Sequence, residues 1–108
     1  MIKTFEHIEN NEVVGSLVFY TIILPSRYLG VIEEVFVKKE YREKGIATKL
    51  MNEALDYAKE LNLDCVELTT NKNIRYVLDF YKKLGFYDRD NISLRFPINK
   101  FHNDGKIH

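Results

Sequence analysis

The chain has 108 residues, 45% of them hydrophobic and 30% charged, which suits one compact globular domain and is too short for two ordinary ones. Sixteen lysines and arginines balance sixteen aspartates and glutamates, so the net charge of zero gives no support for a nucleic-acid binder. A single cysteine, Cys65, leaves no internal disulfide and no multi-cysteine metal site. No apolar run is long or unbroken enough to span a bilayer, and the first residues lack a signal-peptide pattern. A cytoplasmic setting without a membrane partner is the expectation.

In chain order, Ile2 to Ile8 reads as a short strand, and Glu9-Asn10-Asn11-Glu12 as the turn of a hairpin. Val13 to Ile23 is a long strand rich in β-branched and aromatic residues. Leu24 to Tyr28, with Pro25 and Ser26, is a loop. Gly30 to Val37 is a second strong strand. Simple alternation places Ile32, Glu34 and Phe36 on one of its faces and Val31, Glu33, Val35 and Val37 on the other. Lys38 to Lys44 is a charged connection.

Ile46 to Leu61 is the clearest helix: Ile46, Ala47, Leu50, Met51, Ala54, Ala58 and Leu61 recur at helical spacing opposite a polar face. Asn62 is its terminator. Cys65 to Thr70 is a short strand in which Cys65 reads as a small buried apolar residue. Ile74 to Leu84 is a second helix with Gly85 just past its end. Phe86-Tyr87 opens another strand, and Ile92 to Ile98 is the last, ending near Pro97. Residues 1–98 thus form one domain and 99–108 a polar tail. The order β-β-β-α-β-α-β makes this an α/β chain, a mixed sheet with helices packed on it.

The run Arg42-Glu43-Lys44-Gly45-Ile46-Ala47 follows a strand and opens the long helix. A helix start carries four unpaired amides and the positive end of the helix dipole. Gly45 has no Cβ to obstruct an anion, Ala47 keeps the next turn slim, and Lys38, Lys39, Arg42, Lys44 and Lys49 make the neighbourhood basic. A phosphate or pyrophosphate suits such a turn. On chemistry alone, a plain strand-to-helix turn that needs one glycine weighs about as much.

The segment from Val37 through Arg42 and Gly45 to Ala47 resembles the acyl-coenzyme A signature of the GNAT superfamily of N-acetyltransferases, a strand ending in valine followed by Arg/Gln-x-x-Gly-x-Gly/Ala. Phe80-Tyr81-Lys82-Lys83-Leu84-Gly85-Phe86 is similar to the family's second hallmark. Ile32-Glu33-Glu34-Val35 is similar to the Ile-Glu-Asp-Val strand of glucosamine-phosphate acetyltransferases. The two hallmarks lie in the family's order, and the similarity runs from about Val13 to Phe96.

The resemblance implies acetyl-coenzyme A as acyl donor. Its pyrophosphate would rest on the turn formed by Arg42, Glu43, Lys44, Gly45, Ile46 and Ala47. Its pantetheine arm would pair with the backbone of Val35, Phe36 and Val37, in a slot where the sheet splays. Tyr81 would be the general acid that protonates the departing thiolate. Read without the resemblance, Tyr81 shares a helical face with Ile74, Val77, Leu78 and Leu84 and is an ordinary core-edge aromatic. Glu33 and Glu34 are candidate bases, since a carboxylate inside a strand is costly unless solvated or paired. They point to opposite faces unless a bulge intervenes. Similarity favours Glu34 as the base or water-positioning group, with Glu33 as the alternate. His7, His102 and His108 have no metal spacing, so no metal is expected.

One departure stands out. Family members begin with a strand and one or two helices ahead of the hairpin, and here the hairpin starts almost at once. The resemblance therefore implies a short form whose acceptor pocket is open or closed by another subunit, and a homodimer is expected. The function implied is direct acetyl transfer to a primary amine of a small molecule or peptide. The alternative is a non-catalytic coenzyme A-binding or interaction module on the same fold.

Overall fold

The computed structural model describes residues 1–71 and 73–99. Strands β1 (Ile2–Glu9) and β2 (Glu12–Ile23) form an antiparallel hairpin. Asn10 and Asn11 connect them with φ of 53° and 62°, the left-handed pair that a two-residue hairpin turn requires and that asparagine tolerates. β3 (Tyr28–Val37) pairs antiparallel with β2, and β4 (Cys65–Glu67) pairs parallel with β3, giving the sheet order β1-β2-β3-β4.

Helix α1 (Ile46–Glu60) crosses one face of this sheet. Five residues of its expected stripe, Ile46, Leu50, Met51, Ala54 and Ala58, are buried in one core with Val14, Leu17, Phe19 and Ile32, whereas Ala47 is half-buried and Leu61, just past the helix end, is exposed. Gly15 lets the first turn of α1 close onto β2, because a Cβ there would stand 2.8 Å from the Ile46 side chain and 3.3 Å from Leu50. Asn62 (φ 58°) ends the helix as expected. Its amide donates to the Lys59 carbonyl and that of Leu63 to Ala58, the paired bonds of a Schellman cap.

Helix α2 (Arg75–Lys83) ends in the same way at Gly85. The Gly85 amide donates to Lys82 and the Phe86 amide to Tyr81, and the Phe86 ring stands edge-on to the Tyr81 ring with centroids 5.9 Å apart.

Three expectations are corrected. The alternation along β3 breaks at Glu34, which has φ 53°. Val18 faces Glu33 and Ser16 faces Phe36, so Glu34 and Val35 together oppose Leu17. Beyond this bulge Phe36 falls on the face of Glu33, and Val37 on that of Ile32. Cys65 is exposed, because β4 is an edge strand and Cys65 is its first residue. The order is β-β-β-α-β-α: among the described residues no strand follows Glu67, and Phe86-Tyr87 and Ile92 to Ile98 belong to no strand. Alternating apolar residues supply the periodicity of a strand, but a strand also needs a neighbour. The tail expected over 99–108 lies, apart from Asn99, outside the described residues.

Candidate active site

β3 and β4 pair only through Leu29–Cys65, Gly30–Val66 and Val31–Glu67. From Ile32 onward the β4-facing edge of β3 has no strand beside it among the described residues. There a cleft of about 950 Å³ opens. Val35, Phe36 and Val37 form one wall, Tyr41, Arg42, Glu43 and Gly45 the rim, and Ile46, Ala47 and Thr48 the floor at the start of α1. Tyr76, Val77, Phe80 and Tyr81 close it from α2. Another hollow, about 360 Å³ beside Pro25, Tyr28 and Asp64, lies at the opposite end of β3 and contains none of these residues.

The rim turn leaves its backbone amides open. Glu43 and Gly45 are both left-handed, with φ of 62° and 84°, and Gly45 caps α1 with no side-chain hydrogen bond. A Cβ on Gly45 would meet nothing within 4 Å, so the space in front of the helix start is open. The first intrahelical bond of the cap runs from the Lys49 amide to the Gly45 carbonyl at 3.0 Å. The amides from residue 43 to 48 have no acceptor among the described residues. Unpaired donors converging at a dipole's positive end suit a phosphate group.

Side-chain charge contributes less than the lysine count implied. Lys38 pairs with Glu12, which raises its affinity for its proton, and Lys49 is tied to Glu53 at 2.9 Å. Lys44 does not line the cleft; its Nζ lies 5.4 Å from the centre of the Tyr41 ring. The Arg42 Nε donates to the Val37 carbonyl at 3.0 Å, which fixes the rim to the end of β3.

Tyr81 is 9% exposed, packed edge-on against Phe80 and Phe86, and it lines the cleft. Its hydroxyl has no hydrogen-bond partner among the described residues, and burial pushes its pKa above the ordinary phenol value. It is therefore a protonated donor with no internal acceptor, the state a general acid needs.

Of the residues expected at the site, Val35, Phe36, Val37, Arg42, Glu43, Gly45, Ile46, Ala47 and Tyr81 come together in this one cleft. Glu33 and Glu34 stand outside its lining, exposed and without ion pairs among the described residues. Tyr41, Thr48, Tyr76, Val77 and Phe80 are lining residues the sequence did not single out for that role. The α2 set at 76, 77, 80 and 81 does carry a signal, since it recurs one turn apart on one helix face. Among the described residues no cluster of His, Cys, Asp and Glu could hold a metal, and no helix is long and apolar enough to cross a membrane.

Comparison with known proteins gives the same picture. The family pattern described as Acetyltransferase (GNAT) family matches residues 3–86. An uncharacterized N-acetyltransferase of Methanocaldococcus jannaschii is 36% identical over 67 residues, covering 62% of this chain and 30% of its own. N-alpha-acetyltransferase 30 of Schizosaccharomyces pombe is 31% identical over 84 residues, 77% of this chain and 56% of the relative. A crystal structure of a transcriptional regulator from Bacillus halodurans superposes with a TM-score of 0.81 at 26% identity, over 90% of this chain and 66% of that one. The chain thus spans only about a third to a half of the length of these two curated relatives.

Proposed function

Because the chain belongs to the acetyltransferase (GNAT) family, we propose that it transfers an acetyl group from acetyl-coenzyme A to a primary amine on a small molecule or peptide. One observation carries this reading. A single cleft joins the unpaired edge of β3, the open amides ahead of α1 and the buried Tyr81 hydroxyl. The amides from residue 43 to 48 would hold the pyrophosphate, and the backbone of Val35 to Val37 would take the pantetheine arm as an added strand. The acyl donor supplies a thioester, which a neutral amine attacks directly.

In that step the amine nitrogen bonds to the carbonyl carbon and the carbon–sulfur bond breaks. Tyr81 gives its proton to the departing sulfur. The proton lost from the amine goes to a carboxylate or to water, and Glu34 is the nearer candidate by family pattern, with Glu33 as alternate. Both lie outside the cleft lining, on the strand that forms its wall. The bulge at Glu34 re-aims the strand just before the wall begins. The name of the fission-yeast relative supports a peptide amine among the acceptors.

A cytoplasmic setting fits this donor. A second copy of the chain as partner belongs to the same reading, and exposed Ile2 and Phe36, on the sheet face turned from α1, support it.

Release of free thiol from acetyl-coenzyme A, followed across a panel of amines, tests transfer. Calorimetry with desulfo-coenzyme A tests binding. Turnover on at least one amine is expected. Binding without turnover on any of them would select the non-catalytic alternative, and absence of binding would remove both.

A further inference from the structure

We infer that Tyr76 carries the adenine ring of the coenzyme, stacked on the face of its phenol at the mouth of the cleft. The inference deepens the coenzyme reading above and rests on it.

Four residues of α2 line the cleft: Tyr76, Val77, Phe80 and Tyr81. At about 100° per residue they span roughly 140° of the helix surface, with Tyr76 and Tyr81 at its margins. The margins differ in depth. Tyr81 is 9% exposed and Tyr76 78%, while Val77 and Phe80 between them are half-buried. The face that α2 turns to the cleft therefore grades from the interior at Tyr81 to solvent at Tyr76. Along the helix axis, Tyr76 also stands about 7.5 Å nearer the start of α2.

A coenzyme with its thioester at the Tyr81 hydroxyl would have its diphosphate at the far end of the pantetheine arm, on the amides ahead of α1. The nucleoside lies beyond the diphosphate, so it would leave the cleft on the solvent side. Tyr76 is the lining aromatic that stands there. Its side chain makes no hydrogen bond, ion pair or ring contact among the described residues. The other aromatics of the lining are engaged. Phe80 and Tyr81 pack edge-on against each other. Tyr41 is half-buried, with the Lys44 ammonium 5.4 Å from its ring centre. Phe36 belongs to the wall along which the arm would pair.

So exposed a ring gains little from packing within its own chain. It is a good platform for a purine, because a tyrosine on a helix has few torsions to freeze when a base settles on it. Stacking on an aromatic face needs no hydrogen-bond match, and the phenol hydroxyl lies at the ring edge, outside the stack.

Calorimetry with two probes tests this. Desulfo-coenzyme A carries the adenosine; 4′-phosphopantetheine is the arm ending in a single phosphate. Tyr76→Ala is expected to weaken binding of desulfo-coenzyme A by roughly 5- to 50-fold and to leave that of 4′-phosphopantetheine unchanged. Tyr76→Phe should bind both probes as the wild type does. The side chain is exposed and alanine favours helix, so the alanine variant should keep its circular dichroism. Equal weakening of both probes would put Tyr76 on the arm or in the support of α2, and no weakening of either would put the adenine elsewhere. Each result overturns the inference and leaves the coenzyme site standing. A loss in Tyr76→Phe as large as in Tyr76→Ala would replace stacking by a hydroxyl contact and overturn it as well. A wild type that binds neither probe would remove the coenzyme reading itself, and this inference with it.

Discussion

Replacing Tyr81 with phenylalanine removes one oxygen from α2 and leaves its edge-on contacts with Phe80 and Phe86 in place. The hydroxyl has no partner among the described residues, so the change orphans no buried donor or acceptor. Stability at neutral pH should shift by less than about 1 kcal/mol. Catalysis should respond differently. A positioned general acid contributes roughly 10²- to 10⁴-fold, or about 3–5 kcal/mol of barrier. Turnover in the thiol-release assay is therefore expected to fall by that factor, with the affinity for desulfo-coenzyme A unchanged. The raised pKa adds a second signature. Below the ordinary phenol value of about 10 the phenol is protonated in both folded and unfolded chains. As pH climbs past it, the unfolded chain releases its proton first, so the folded state loses stability through that window. The phenylalanine variant lacks this loss, and denaturation midpoints of the two proteins should diverge only above about pH 10. Equal turnover of wild type and variant would refute the assignment and leave Tyr81 as packing alone.

The turn ahead of α1 gives a second prediction. Gly45→Ala costs roughly 1–2 kcal/mol through its left-handed backbone, since its Cβ meets no atom; Gly45→Glu adds a carboxylate at the phosphate position and should abolish coenzyme binding by calorimetry. Gly15→Ala drives a methyl against Ile46 and Leu50, so a loss of about 1–3 kcal/mol in chemical denaturation is expected, together with weaker coenzyme binding because the start of α1 must move. At the bulge, Glu34→Gly relieves the left-handed strain and should hold or raise the melting temperature. Glu34→Gly and Glu34→Gln should both lower turnover by at least about tenfold if this carboxylate takes the amine proton, whereas Glu33→Gln should stay near wild type; the reverse ranking would move the role to Glu33.

Much of this architecture is legible in the residues, and the exceptions have physical causes. The hairpin, α1 and α2 follow from local periods and from terminators whose chemistry is specific: paired asparagines for a left-handed turn, Asn62 and Gly85 for Schellman caps. The turn at Gly45 was readable for the same reason. The bulge was not, because a left-handed glutamate has no propensity signal; only the register against Leu17 reveals it. Cys65 departs from the buried expectation because residue type says nothing about whether a strand is central or an edge. The last strand failed on the same point: Ile92 to Ile98 has the right period, but pairing is a property of neighbours. At the site, Tyr81 was singled out by family pattern. Tyr76 and Phe80 became visible as lining only once α2 had been placed across the gap between β3 and β4.

The central claim is that the open amides ahead of α1 and the free edge of β3 form one coenzyme site. Titration of ¹⁵N-labelled protein with coenzyme A, followed by amide chemical shifts, addresses it residue by residue. The account predicts that the largest shifts fall on Glu43 to Thr48 and on Val35 to Val37, saturating at one equivalent per chain. Shifts centred instead on the hollow beside Pro25 and Tyr28, or none at all, would contradict it.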